Sequence, residues 1–284
     1  MGRTVYVNGE FVAEENASVS IFDRGFLFAD AVYEVTAVLD GKLVDNAGHM
    51  RRLTRSLGEL KITAPLTPDE IEQAQLELIR LNDLREGGIY LQISRGSADR
   101  DFLFPTAATP TVIMFTQARP IVDNPAANAG IKVHTIPDIR WGRRDIKTVQ
   151  LLAASMAKQA AKDAGADDAW VVEDGIVNEA SSANAYIVDS SDAIITRHLG
   201  TEILHGITRA AVLQLCEEQG LKLEERPFSV EEAYGAKEAF ITSASTFVQP
   251  VVQIDDTVIG AGTPGPIAQR LRECYIAAAR TSLR

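Results

Sequence analysis

Three tight turns constrain this chain more than any other feature: Asn8-Gly9, Asp40-Gly41 and Asp174-Gly175. Asn-Gly and Asp-Gly supply the left-handed backbone that a two-residue hairpin loop needs, and each pair lies between short strand-like runs. They predict antiparallel hairpins over residues 5–12, 38–44 and 170–179. Helical stretches lie between them. Met50, Leu53, Leu57 and Leu60 share one face, which predicts a helix after Asn46, running to about residue 60. Thr67-Pro68-Asp69-Glu70 opens a second helix, to about residue 84, with Thr67 as N-cap, Pro68 in the first position and Glu70 completing a capping box. Further helices are expected at about 148–164, 208–219 and 266–279, and further strands at 89–94, 111–116 and 131–136. Turn-linked strands interleaved with helices, without a regular βαβ rhythm, indicate an α+β fold rather than a doubly wound sheet.

A chain of 284 residues suits one large domain or two ordinary ones. Residues 119–130 are rich in Pro, Asn and Ala and lack periodicity, so they read as a linker between a small N-terminal domain, 1–118, and a larger C-terminal domain, 131–284. Against 28 basic residues stand 39 acidic ones, a net charge of −11. That excess argues against nucleic acid and against an anionic membrane surface as partners. No stretch approaches the roughly 20 apolar residues of a spanning helix, and the first residues alternate like a strand instead of forming an apolar leader. Cys216 and Cys274 are the two cysteines, and the four histidines show no ligand-like spacing. The expectation is a cytoplasmic, reduced protein with no metal.

Two local signals are weaker than they look. Gly260-Ala261-Gly262-Thr263-Pro264-Gly265 matches a dinucleotide-binding pattern, but too few residues follow for the acidic partner, so it reads as a turn into the last helix. Arg140-Trp141-Gly142-Arg143-Arg144 resembles a nucleic-acid patch, but on an acidic chain it reads as a solvated face or a small-anion pocket.

The basic residues divide into 20 arginines and only 8 lysines, so chemistry that needs an amine has few candidates. Lys147 lies at a strand-to-helix boundary among Ile146, Val149, Leu151 and Leu152, with Arg143 and Arg144 nearby. Such surroundings favour a neutral, nucleophilic amine, although a single lysine is more often a surface group. Arg52 sits off the apolar stripe of its helix; taken alone it reads as solvated. Residues 178–184 gather Glu179 with Ser181, Ser182 and Asn184 after a hairpin strand, where an ordinary polar loop is the plain alternative. Gly206-Ile207-Thr208 leads into a helix, and backbone N–H groups at a helix start suit a phosphate.

Arg52, Lys147, Glu179 and Thr208, in that order and with their surroundings, resemble the fold-type IV, pyridoxal-phosphate-dependent aminotransferases. The resemblance extends over nearly the whole chain, including Gly25-Phe26-Leu27-Phe28, Asp30, Val32-Tyr33-Glu34-Val35 and Thr242-Ser243. It implies a two-domain enzyme, with a small N-terminal α/β domain and a larger C-terminal domain built on a mixed, barrel-like sheet. It implies pyridoxal 5′-phosphate as cofactor and Lys147 as its Schiff-base partner and proton shuttle. Glu179 would keep the pyridine nitrogen protonated. Arg52 would hold the phosphate with the Ile207 and Thr208 N–H groups and the Thr208 hydroxyl. Ser182, Asn184 and Leu204 would add cofactor contacts, and Ser243 or Ser245 would substitute for a family threonine at Ala244.

Within the family, Tyr33, Val35 and the loop Arg100-Asp101-Phe102-Leu103-Phe104-Pro105 resemble the substrate-binding residues of D-amino-acid aminotransferases. Phe102 replaces the histidine usual in that loop, leaving Arg100 to make a bidentate contact with a substrate carboxylate. The resemblance implies amino acids and 2-oxo acids as substrates. It also implies a homodimer in which this loop reaches the neighbouring subunit's active site. Branched-chain L-amino-acid aminotransferase, (R)-amine transaminase and 4-amino-4-deoxychorismate lyase activities are the alternatives within the family.

Overall fold

In a computed structural model, which describes residues 2–282, all three turns close hairpins with left-handed backbone. The φ angles are 49° and 102° at Asn8 and Gly9, 52° and 76° at Asp40 and Gly41, and 52° and 76° at Asp174 and Gly175. This local twist matches the right-handed twist of paired strands.

The chain divides into two compact units. One comprises the residues up to Pro120, Ile146–Gln150 and the end of the last helix from Ala279; the other comprises Ile121–Asp145 and Leu151–Ala278. The first contains strands β1 (Thr4–Val7), β2 (Glu10–Ala13), β3 (Ala31–Leu39), β4 (Lys42–Leu43), β5 (Gly87–Ser94) and β6 (Thr111–Ala118). They form an antiparallel sheet in the order β2-β1-β6-β5-β3-β4. Its helices are α1 (Arg24–Phe28), α2 (Asn46–Glu59) and α3 (Pro68–Leu81). α2 buries Met50, Leu53 and Leu57, as their shared face predicts. At the start of α3 the capping box is complete: the Glu70 N–H donates to Thr67 Oγ1 at 3.2 Å, and the Thr67 N–H donates to Glu70 Oε2 at 2.7 Å. α1 has no counterpart in the sequence reading, because five residues are too few to show a period.

The second unit carries β7 (Ile131–Pro137), β8 (Asp168–Glu173), β9 (Ile176–Ala180), β10 (Asn184–Val188), β11 (Ile194–Thr196), β12 (Leu223–Glu225), β13 (Glu238–Ser243), β14 (Phe247–Ile254) and β15 (Thr257–Val258). The order is β12-β11-β10-β13-β14-β7-β8-β9, with β15 on β14. β14, β7 and β8 run parallel to one another, β11 pairs parallel with β12, and the other pairs are antiparallel. The sheet is therefore mixed, and it curls into a half-barrel. Trp170, Phe228, Ile187, Ile241 and Ile254 lie in its core. The helices are α4 (Pro125–Ala129), α5 (Leu152–Asp163), α6 (Ile207–Glu218), α7 (Val230–Tyr234) and α8 (Pro266–Ser282). On α8 the buried Arg272 donates to the carbonyls of Thr246, Val248, Ile121 and Val122. Gly260 to Gly265 form the turn that leads into α8.

The helix expected from residue 148 begins at Leu152 instead. Before it, Thr148 bridges Val32, and the Val149 N–H donates to the Ala31 carbonyl at 3.1 Å. Pairing of Thr148 and Val149 with β3 keeps the start of the segment out of a helix although its apolar spacing also suits one. Among the described residues no helix is long and apolar enough to cross a membrane.

Thr67→Ala removes one half of the capping box. We expect it to cost about 1 kcal/mol, read as faster amide hydrogen exchange in the first turn of α3.

Candidate active site

Along β3 side chains alternate between faces. Tyr33 and Val35 share one face and are half-buried, while Glu34 and Thr36 are buried on the other. Lys147 is positioned against this strand by its own backbone. The Tyr33 N–H donates to the Lys147 carbonyl at 3.0 Å, and the Lys147 N–H reaches Ser56 Oγ on α2 at 3.5 Å. Its Nζ lies 4.0 Å from the centroid of the Tyr33 ring, an attractive arrangement of cation over π face. Tyr33 stacks on Tyr90, and Tyr90 on Phe115, with centroids 5.5 and 4.9 Å apart.

On the other face, Arg52 is buried rather than solvated. Its Nε and Nη2 donate to the two oxygens of Glu34 at 2.8 and 2.7 Å, and His49 Nδ1 lies 2.7 Å from Glu34 Oε2. Burial opposes the charge of Glu34, yet the charge and hydrogen bonds of Arg52, with those of His49, hold its carboxyl down to about 2. Arg100 and Phe102 lie on the exposed loop between β5 and β6. The Arg100 Cζ is 5.7 Å from the Phe28 ring centroid and 5.6 Å from that of Phe102.

The second unit carries its own group. Glu179, buried on β9, accepts from Arg140 Nη1, from Asn184 Nδ2 at 3.1 Å and from the Leu204 N–H at 3.3 and 3.2 Å. Burial pushes the Glu179 carboxyl up, against the pull of Arg140 and of the Leu204 N–H. Arg140 also grips Asp138 with Nε and Nη2 at 2.9 and 2.7 Å. Burial would raise Asp138, but Arg140 and Asn178 hold it down to about 2. Arg143 pairs with Asp145, and Arg144 with Glu173. The run 140–144 is thus a set of ion pairs, not a solvated basic face, because acidic partners on β8, on β9 and in the loop after β7 engage the guanidinium groups.

The N-cap of α6 is Gly206, which has no side chain to cap the first amides. A Cβ at Gly206 would lie 2.1 Å from Asn184 Oδ1, so the close approach requires glycine. Asn184 Nδ2 also donates to the Leu204 carbonyl at 2.9 Å, which ties the carboxylate of Glu179 to the segment that leads into α6. Thr208 is buried in the first turn. Uncapped amides beside a threonine hydroxyl fit a phosphate. At the end of β13, Ser243 Oγ bonds Ser245 Oγ at 3.1 Å and Thr246 Oγ1 at 2.8 Å, and Ser182 is exposed between β9 and β10.

Tyr33 and Lys147 therefore meet in the first unit, with Arg52 on the opposite face of β3. Glu179, Asn184 and Leu204 form one hydrogen-bonded group in the second, with Ile207 and Thr208 at the helix that follows. Three residues of these groups, Glu34, His49 and Arg140, carry no role in the sequence reading. A signal existed for Glu34, a charge among the apolar residues of one strand. For Arg140 it was Asp138 two residues before, on the same strand-like face.

Residues 31–254 match the model of the amino-transferase class IV family. The chain belongs to this family. The matched region runs from β3 to the end of β14 and takes in both Lys147 and Glu179. A D-alanine aminotransferase of Bacillus licheniformis is 39% identical over 268 residues, 94% of each chain. The fold is also that of the Escherichia coli branched-chain amino acid aminotransferase, at a TM-score of 0.90 and 22% identity over 98% of this chain and 95% of that one. A branched-chain aminotransferase of the thermophilic archaeon Thermoproteus uzoniensis, solved with norvaline, superposes with a TM-score of 0.88 at 26% identity, covering 98% and 95% of the two chains.

Glu34→Gln in this class IV aminotransferase leaves Arg52 buried without its counter-charge and should cost about 3–5 kcal/mol at neutral pH. Because Glu34 is held below its ordinary 4.5, its contribution is complete above that pH and is lost as pH falls toward about 2. The gap in melting temperature between wild type and variant should therefore narrow across that window, and a constant gap would contradict the assignment.

Proposed function

We propose that the chain is a D-amino-acid transaminase. It moves an amino group from a D-amino acid, such as D-alanine or D-glutamate, to a 2-oxo acid in two half-reactions. The observation that carries this reading is the 39% identity to a D-alanine aminotransferase over 94% of both chains. Tyr33, Val35 and Arg100, the residues resembling that enzyme class, agree with it. Pyridoxal 5′-phosphate is the cofactor; when bound, its ring takes up the electron pair left as the substrate Cα proton departs.

In this reading Lys147 holds the cofactor through its amine and then moves a proton between the substrate Cα and the cofactor C4′. Its backbone bonds to Tyr33 and Ser56 fix where that amine can reach. Glu179 would pair with the ring nitrogen. A carboxyl pushed up by burial, yet held by Arg140, is suited to share a proton there without leaving the site. Asn184 and Leu204 orient it, and Ser182 adds a hydroxyl. Arg52, aimed by Glu34, takes the phosphate with the Ile207 and Thr208 amides, and Ser243 or Ser245 completes the contact. Arg100 grips the substrate carboxylate with its planar fork, while Phe102 contributes an apolar wall where a histidine is usual.

The protein acts as a homodimer in the cytoplasm, each Arg100 loop serving its neighbour's site.

Holoenzyme mixed with D-alanine and 2-oxoglutarate should yield pyruvate and glutamate. Failure there, together with rapid L-leucine turnover, would replace this reading with the branched-chain one that the Thermoproteus uzoniensis likeness favours. Lys147→Ala should lose the visible absorption of the lysine-bound cofactor and slow the half-reaction by about 10²–10⁴-fold or more.

A further inference from the structure

The loop that carries Arg100 has little burial of its own. Phe102, Leu103 and Phe104 are 79%, 76% and 56% exposed. Such a segment keeps one shape only if something beneath it does the fixing. Beneath it lies a buried group of two guanidinium ions around one carboxylate. Arg24 Nε and Arg95 Nε both donate to Asp30 Oδ2, at 2.8 and 2.7 Å, and Arg95 Nη2 donates to Asp30 Oδ1 at 2.9 Å. Arg95 is rooted in the carbonyls of Leu60 and Lys61 at 2.7 and 3.0 Å. Arg24 turns its remaining edge to the loop, and its Nη1 donates to the carbonyls of Asp101 at 2.7 Å and Leu103 at 3.3 Å.

The same group also positions the rings around Arg100. Arg24 Cζ lies 4.5 Å from the Phe28 centroid, and Arg95 Cζ lies 3.7 Å from that of Phe104. Phe28 in turn meets Phe102 edge-on at 5.7 Å, and Arg100 rests against both rings. Among the described residues, no hydrogen-bonding partner meets the Arg100 guanidinium. Aromatic contact steadies its plane without using its N–H groups, so the donor fork stays available for a carboxylate.

We propose that Arg24, with Asp30 as its counter-ion and Phe28 as its lever, is a positioning residue that sets the Arg100 loop for substrate carboxylates. The inference rests on the transaminase reading for the role of Arg100. It predicts that carboxylate affinity suffers while the chemistry at Lys147 survives.

The test uses holoenzyme and two variants, Arg24→Met and Phe28→Leu, the second leaving all the Asp30 ion pairs intact. Both should raise KM for D-alanine about tenfold with kcat changed less than about threefold, and both should keep the visible cofactor absorption. Hydrogen exchange over residues 97–105 should quicken in both, and Arg24→Lys should recover part of the KM. If Arg24→Met does not fold, Phe28→Leu decides alone. Unchanged KM and unchanged exchange would overturn the proposal, as would a fall in kcat equal to the loss in kcat/KM. If the wild type itself ignores D-alanine, the transaminase reading fails, while the exchange of 97–105 still decides whether Arg24 and Phe28 hold the loop.

Discussion

Burying a carboxylate without partners costs several kcal/mol, and Glu34 has no exposure at all. Its presence in the middle of β3 makes sense only because α2 delivers two donors to it. Arg52 and His49 are three residues apart, so one helical face presents both. That ion group fixes how α2 lies on β3, and Ser56, one further turn along α2, then meets the Lys147 backbone. The opposite face of the same strand carries Tyr33 beneath the lysine amine. A single alternation of side chains along β3 thus separates the charged anchor from the Lys147 amine and still locates both.

The second unit uses the same materials to a different electrostatic end. Asp138 and Glu179 share Arg140, but Asp138 takes a bidentate grip plus the Asn178 amide and is held down to about 2. Glu179 receives one guanidinium bond, an amide and a backbone N–H in a fully buried place, and burial pushes it up. Asp138 is thus the firmer counter-charge to Arg140, and Glu179 is the one whose charge burial opposes more than its partners favour. Two acids in one network are driven apart by their surroundings, a pattern that the proposed role of Glu179 would use.

The strongest local signals were legible in the sequence: the hairpin turns, the capping box, the apolar face of α2 and the uncapped start of α6. Each depends on residues within one turn or one strand. The non-helical path of 148–151 was not legible, since Ala31 and Val32, which hold its first two residues, lie more than a hundred residues away and its spacing also fits a helix. α1 was hidden by its shortness. At the site, residue types with a known pattern could be named, but their neighbours could not. The partnership of Arg140 with Glu179 spans 39 positions and that of Arg52 with Glu34 spans 18, so only folding makes either pair visible.

The surplus of arginine over lysine acquires a physical meaning from these pairs. A chain of net charge −11 repels anions at long range, and screening confines that field to about 8–10 Å at ordinary ionic strength. Capture of an anionic ligand then depends on groups placed at contact distance. Arg24, Arg95 and Arg140 are committed to buried carboxylates and contribute geometry rather than net field. Arg100 rests on aromatic rings, which steady it without cancelling its charge. An ammonium group could not divide its contacts so cleanly between a flat face for packing and an edge for hydrogen bonds. The committed arginines therefore serve as framework, and in the proposed reading Arg100 is the receptor and Lys147 supplies the amine.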